Sequence, residues 1–257
     1  MKPKRRAFGK TRAAIAVARA AVMVPRWRYA STKWRKKRAY EQAFYRRIAS
    51  GFVAKVELRG TPVARPGTLY VSNHISWLDI PMIASVIDTD FIAKDDIEHW
   101  PLIGGLSRRT GTLFVSRTAR HQAQRHLDDM IAALQSGVSL MLFAEGNTSD
   151  GAGVLPFLSS LFAAAPYAAA VQPVFVGYRH AGGAWLSDAE MAAIGWTGDD
   201  ELVPNAAGVA GMKIEGVVTL LDPVPASAST NRRSITAYCH TAISEGYAAL
   251  RAEGRPA

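Results

Sequence analysis

"TLYVSNHISWLDIPMIASVI", residues 68–87, changes its hydrophobic rhythm halfway, and that change decides the fold. Residues 68–73 form a short apolar run that ends in Ser72 and Asn73, the pattern of a buried strand. From Ser76 the apolar residues follow a helical spacing. Asp79 and Pro81 fall in the opening turn, where an acid and a proline are both favoured. Between strand and helix stands His74, five residues before Asp79. The same alternation extends in both directions. "FVAKVELRG" (52–60) reads as a strand before it, separated by the turn "ARPG" (64–67). After it, "TDFIAK" (89–94) and "GTLFVSR" (111–117) read as strands, and "ARHQAQRHLDDMIAALQSG" (119–137) as an amphipathic helix closed by Gly137. "VSLMLFAEG" (138–146), "AAVQPVFVGY" (169–178) and "MKIEGVVTLLDPV" (212–224) are three more strands, and residues 231–253 form a C-terminal helix. Residues 181–210 are loop-rich and show no clear period. Strands alternating with helices indicate an α/β fold, a layered mixed sheet flanked by helices.

The chain has 257 residues and is 49% hydrophobic, enough for one sizeable core. Its single cysteine, Cys239, excludes a disulfide framework and a multi-cysteine metal site. The net charge is +10 and unevenly spread. Residues 1–50 hold sixteen Lys or Arg and one acid, Glu41, whereas the remainder holds fifteen basic and twenty acidic residues. A basic arm therefore precedes a mildly acidic body, with the boundary near Ser50-Gly51. Such an arm meets an anionic surface, nucleic acid or lipid.

Its details favour lipid. In "TRAAIAVARAAVMVPRWRYA" (11–30), Arg12, Arg19 and Arg26 continue a seven-residue spacing from Arg5 to Lys33. On a helix this makes a basic stripe among Ile15, Val17, Val22 and Val24, ended or kinked at Pro25. Residues 26–47 then interleave Trp27, Tyr29, Trp34, Tyr40, Phe44 and Tyr45 with nine basic residues. Aromatic rings and snorkelling cations belong at a bilayer interface. No uncharged apolar run reaches the ~18 residues of a spanning helix. Arg19 interrupts the only stretch resembling a signal peptide. Residues 1–50 are thus expected to form a basic, aromatic, membrane-interfacial helical arm, and residues 51–257 one globular domain.

Polar residues stand where strands meet loops: Asn73 and His74, Arg117, Glu145-Gly146, and an expected turn at Gln172-Pro173. Ligands of open α/β sheets bind at the carboxyl ends of strands. Singly, each residue has an ordinary explanation as a packed histidine, a helix N-terminal acid, a solvated arginine or a turn residue. Together and in this order they form a candidate site. An imidazole can take a proton at neutral pH, and a carboxylate on its other nitrogen fixes the tautomer. The spacing works if His74 lies in the loop and Asp79 points back from the helix. There is no G-x-S-x-G elbow and no motif around Cys239, so the base is expected to act on a hydroxyl of the substrate.

These residues resemble the glycerolipid acyltransferase family, of which 1-acylglycerol-3-phosphate acyltransferase is the best-known member. The resemblance covers about residues 50–225. "NHISWLD" (73–79) matches the family's N-H-x-x-x-x-D block. "KDDIEHWPLIGGLSRRTGTLFVSR" (94–117) matches its Lys, P-x-x-G and G-x-x-F-[I/V]-x-R block. "FAEGNTSDG" (143–151) partly matches F-P-E-G-T-R-S, and "VQPVFVGY" (171–178) matches an apolar strand with a central proline. The resemblance implies that His74 is a general base oriented by Asp79. A lipid hydroxyl would attack the thioester of acyl-acyl carrier protein or acyl-CoA, without metal or other cofactor. Asn73, Gly111, Arg117, Glu145, Gly146, Asn147, Thr148, Ser149 and Asp150 would bind substrate. The implied setting is the cytoplasmic face of a bacterial inner membrane, with peripheral or monotopic attachment. The expected partners are a membrane lipid, an acyl carrier protein and, through residues 1–50, an anionic membrane surface, but not nucleic acid.

The third block departs from the family's pattern. Ala144 replaces Pro, Asn147 replaces Thr, and Thr148 stands where an Arg would meet a phosphate. Arg108, Arg109 and Arg117 remain. Asp150 adds an acid suited to a cationic head group. This variant resembles the bacterial lyso-ornithine lipid acyltransferases, whose acceptor has an amine and no phosphate. Lyso-ornithine lipid is the first expected acceptor and lysophosphatidic acid the second. The alternative of another class is a membrane- or nucleic-acid-binding protein with an idle site, for which the basic arm is the supporting feature.

Overall fold

The computed structural model describes residues 3–23, 34–94, 110–115, 120–197, 201–229 and 231–254. Seven strands form one sheet: β1 (Val56–Arg59), β2 (Thr68–Ser72), β3 (Asp90–Lys94), β4 (Leu113–Val115), β5 (Leu140–Phe143), β6 (Ala170–His180) and β7 (Ile214–Leu220). Their spatial order is β1-β7-β6-β2-β5-β3-β4. The run from β6 to β4 is parallel throughout. β7 is antiparallel to β6, and β1 is parallel to β7, so the sheet is mixed. Parallel pairing brings the carboxyl ends of β2 and β5 side by side, with Ser72 opposite Phe143. His74 and Glu145 each lie two residues beyond that pair.

All seven strands expected from the sequence are present. Two boundaries differ. The first strand begins at Val56, because Phe52 still belongs to the preceding helix. Gln172 and Pro173 lie inside β6 rather than at a turn. The Gln172 side chain accepts from the Val63 amide and donates to the carbonyls of Thr61 and Leu221. It ties loops at the amino end of β2, away from His74. Residues 181–210, loop-rich and without a clear period in the sequence, contain two short helices.

Among the described residues the helices are α1 (Pro3–Ala21), α2 (Trp34–Phe52), α3 (Asp79–Val86), α4 (Arg120–Gln135), α5 (Asp188–Ile194), α6 (Leu202–Val209) and α7 (Arg232–Glu253). A 3₁₀ segment spans Ser159–Tyr167. α5 opens with a capping box in which the Glu190 amide donates to Ser187 Oγ and the Ser187 amide to Glu190. Its S-x-x-E signature was readable in the sequence. α3 and α2 pack together, whereas α7 packs on β6 and the 3₁₀ segment. Buried Leu69, Val71, Met82, Ile83, Met141 and Val218 are among the core between these layers.

The N-terminal segment joins this core more closely than an appended arm would. Phe44, Tyr45, Ala49 and Phe52 of α2 are buried in the main hydrophobic cluster. Two of the rings read as interfacial therefore pack inward, because α2 lies on α3. Trp27 and Tyr29 fall outside the described residues. α1 approaches α2 through small residues: a Cβ on Gly51 would stand 2.8 Å from that of Ala16. Arg12 of the heptad stripe donates to the carbonyls of Gly51 and Phe52 at 3.2 Å each, which caps the C-terminal end of α2. Ile15, Val17 and Val22 remain exposed, Val22 at 62%. Among the described residues, no helix is long and apolar enough to cross a membrane.

Arg38 fastens α2 to the sheet. Its buried guanidinium pairs with Glu41 at 3.2 Å, with Asp88 at 3.2 Å, and with Asp90 at the start of β3.

Candidate active site

The site grows from the loop between β2 and α3. Asn73, the first residue beyond β2, is fully buried. Its side chain donates to the Val176 carbonyl at 3.1 Å and accepts from the Val176 amide at 2.9 Å. It extends the β2–β6 pairing with its amide and so turns the chain at a fixed place. His74 follows, and its ring stacks on Phe143 with centroids 3.8 Å apart and planes 12° apart. Two residues read as neighbours of separate strands thus share one contact.

Asp79 opens α3 and points back over the loop. Its Oδ2 lies 2.8 Å from His74 Nδ1 and accepts the amides of Ile75 at 2.7 Å and Ser76 at 2.9 Å. Its Oδ1 accepts the Tyr178 hydroxyl at 2.5 Å. Asp79 is fully buried, while the His74 side chain keeps 15% of its surface exposed. A carboxylate bonded to three other donors is held as an acceptor, so Nδ1 carries the ring proton and Nε2 the lone pair. Among the described residues no group bonds Nε2. The open nitrogen faces out from a ring clamped on its other side.

Glu145 follows β5, and its Oε1 accepts the His74 amide at 3.3 Å. The residue is 5% exposed. Burial pushes its carboxyl up to about 8, against the pull of the His74 and Leu155 amides and with the push of the Asp79 charge. The folded chain therefore holds a proton that the unfolded chain releases in the ordinary carboxyl range. Stability contributed by this proton is lost as pH rises toward about 8. Replacing Glu145 with glutamine should stabilise the fold above that window and not below about pH 4. Parallel melting-temperature curves for wild type and variant from pH 4 to 9 would contradict this.

The loop after Glu145 is tied down residue by residue. Gly146 closes a turn onto the Phe143 carbonyl at 3.2 Å, and the Ser149 amide donates to the His74 carbonyl at 2.9 Å. Thr148 donates its hydroxyl to the Trp196 carbonyl. Asn147 is exposed. Asp150 is also exposed, and its Oδ1 accepts the Ala152 amide at 2.9 Å. The Tyr247 hydroxyl of α7 donates to the Gly151 carbonyl at 2.7 Å.

The structure thus brings Asn73, His74, Asp79, Glu145, Gly146, Thr148 and Ser149 together, with Asn147 and Asp150 on the open side. It does not bring Gly111. That residue precedes β4 at the amino end of the parallel strands, where a Cβ would stand 2.3 Å from Asp90 Oδ2. Arg117, Arg108 and Arg109 lie outside the described residues. The sequence reading missed Phe143, Tyr178, Trp196 and Tyr247. The first two were quoted within strands, and only their places at strand ends hinted at a role.

A family model described as Acyltransferase matches residues 55–177. The lyso-ornithine lipid O-acyltransferase of Brucella abortus (strain 2308) is 34% identical over 208 residues, covering 77% of this chain and 78% of that protein. The 1-acyl-sn-glycerol-3-phosphate acyltransferase of Neisseria gonorrhoeae is 36% identical over 124 residues, 46% of this chain and 48% of that protein. The crystal structure of the 1-acyl-sn-glycerophosphate (LPA) acyltransferase from Thermotoga maritima shares the fold, with a TM-score of 0.72 over 100% of both chains at 21% identity.

Proposed function

The chain belongs to the acyltransferase family, and from that membership we propose that it esterifies the free hydroxyl of lyso-ornithine lipid with a fatty acyl group from a thioester donor. The observation that carries the reading is the His74–Asp79 pair, with Nδ1 bonded and Nε2 open. In the proposed reaction Nε2 takes the proton of the acceptor hydroxyl as its oxygen attacks the thioester carbonyl. The carbon–oxygen bond forms, the carbon–sulfur bond breaks, and the proton passes from Nε2 to the departing thiolate. Asp79 stabilises the imidazolium between these steps. The donor is acyl-acyl carrier protein or acyl-CoA.

Two observations support the ornithine head group. Thr148 is neutral, and its hydroxyl is engaged by the Trp196 carbonyl, so this position offers no cation to a phosphate. Asp150 is an exposed acid on the same loop, suited to an amine. The second reading, lysophosphatidic acid, is favoured by the resemblance of Arg117 to the family's phosphate-binding position. Transfer from labelled acyl-acyl carrier protein should be at least tenfold faster to lyso-ornithine lipid than to lysophosphatidic acid, the loss of one charge-assisted contact being worth ~1.5–3 kcal/mol. The reverse preference would discard the head-group argument and keep the base.

The reading extends to peripheral attachment through α1 and α2. Between them lies a cleft of about 330 Å³, lined by Arg12, Arg19, Arg47, Thr11, Ser50, Ile15 and Ala16, with no acid among them. Beside it, Ile15, Val17 and Val22 are exposed. Arginines without carboxylates beside exposed aliphatic residues fit anionic head groups over acyl chains. Reversing both exposed charges, Arg19→Glu with Arg47→Glu, should weaken sedimentation with anionic vesicles by roughly tenfold or more. Unchanged binding would remove this surface from the membrane contact.

A further inference from the structure

The His74–Asp79 pair has a third member that the proposed transfer leaves unused. We propose that Tyr178 is a positioning residue, which pins the Asp79 carboxylate through Oδ1 and draws charge from the oxygen that faces His74. The proposal rests on the reading of His74 as the base.

Strand alternation explains why Tyr178 reaches Asp79. A Cβ on Gly177 would stand 2.8 Å from Leu250 of α7, so residue 177 faces that helix. Tyr178 therefore points through the other face of the sheet, toward α3. Its ring is fully buried there and its hydroxyl donates to Asp79 Oδ1 at 2.5 Å. Burial first, and then the Asp79 charge, push this phenol well above its ordinary range, so it stays a donor. Among the described residues the two carboxylate oxygens are unequally served: Oδ2 takes three donors, and Oδ1 takes this hydroxyl alone. A phenylalanine would fill the same space and leave Oδ1 bare in a buried site. Charge would then concentrate on Oδ2, beside Nδ1, and favour the imidazolium.

Among the described residues, the ionisable groups around the pair are few. Glu145 reaches it from the β5 loop, and Tyr247 and Arg251 approach from α7, with Asp150 beyond them. None of them bonds Asp79 directly. The effect of the Tyr178 hydroxyl can therefore be read apart from theirs.

The test is made on the full chain, with ¹⁵N-labelled histidine and the His74 resonances assigned by their loss in His74→Gln. The substrate-free titration midpoint of His74 in Tyr178→Phe should rise by about half a pH unit to one unit. The acid limb of kcat/KM should move by the same amount, with KM for the acceptor unchanged. Placing 3-fluorotyrosine at position 178 alone makes the phenol a stronger donor and should move both readouts down. Opposite shifts in the two variants support the proposal. A His74 titration unmoved by either change, or moved the same way by both, overturns it. If Tyr178→Phe fails to fold, the fluorotyrosine protein decides by itself, since a purely structural role predicts no shift. The titration needs no substrate, so inactivity of the wild type toward every acceptor would count against the proposed reaction and leave this result standing.

Discussion

Replacing His74 with alanine should lower acyl transfer about a thousandfold and leave the fold in place. A positioned general base contributes roughly 10²–10⁴ in rate. Nε2 is the only ring atom free to serve, because Nδ1 is bonded to Asp79. The ring stacks on Phe143 with centroids 3.8 Å apart, and the backbone bonds of residue 74 survive truncation. Asp79 retains the amides of Ile75 and Ser76 and the Tyr178 hydroxyl, so its buried charge is not abandoned. The check is initial rate with lyso-ornithine lipid beside a melting curve. A rate within tenfold of wild type, with an unchanged melting temperature, would remove His74 from the chemistry. A rate lost together with the fold would be resolved with His74→Gln, which keeps polarity and size but cannot take the proton.

Replacing Arg38 with alanine should cost about 3–5 kcal/mol of stability, the range for breaking a buried ion pair from one side. Asp90 is buried and so is Glu41, and both meet the same guanidinium. Asp88 has a side chain 55% exposed and would be rehydrated at little cost. For a chain of this size the loss corresponds to a fall of roughly 10 °C in melting temperature. Arg38→Lys should recover only part of it, because an ammonium cannot span three carboxylates as a planar fork does. A loss below ~1 kcal/mol would mean that water reaches these carboxylates and that α2 is held by its apolar face alone. The experiment also shows how far the N-terminal helices are part of the catalytic fold.

The order of strands and helices was legible because burial imposes its period on the chain. The runs at 68–73 and 138–146 are apolar since their strands are covered on both faces, and no other arrangement of neighbours would change that pattern. His74 and Asp79 were legible for a related reason. The loop between them is short, so five residues of sequence confine their geometry. α5 was also legible in principle, through Ser187 and Glu190, but its short apolar pattern did not stand out.

What the sequence determined by itself is local: the alternation, the loop that joins His74 to Asp79, the basic character of residues 1–50, and the family blocks. What only the tertiary structure decided is how polar and aromatic groups spend their contacts. Thr148 reads as a substrate ligand until its hydroxyl is found on a carbonyl 48 residues away. Tyr178 reads as the end of an apolar strand until it is found on Asp79, 99 residues before it. Phe44 and Tyr45 read as rings for a bilayer until α3 covers them. Hydrophobic periodicity depends on neighbours along the chain, whereas the partner of a hydroxyl, a carboxylate or a ring depends on which elements the sheet places side by side.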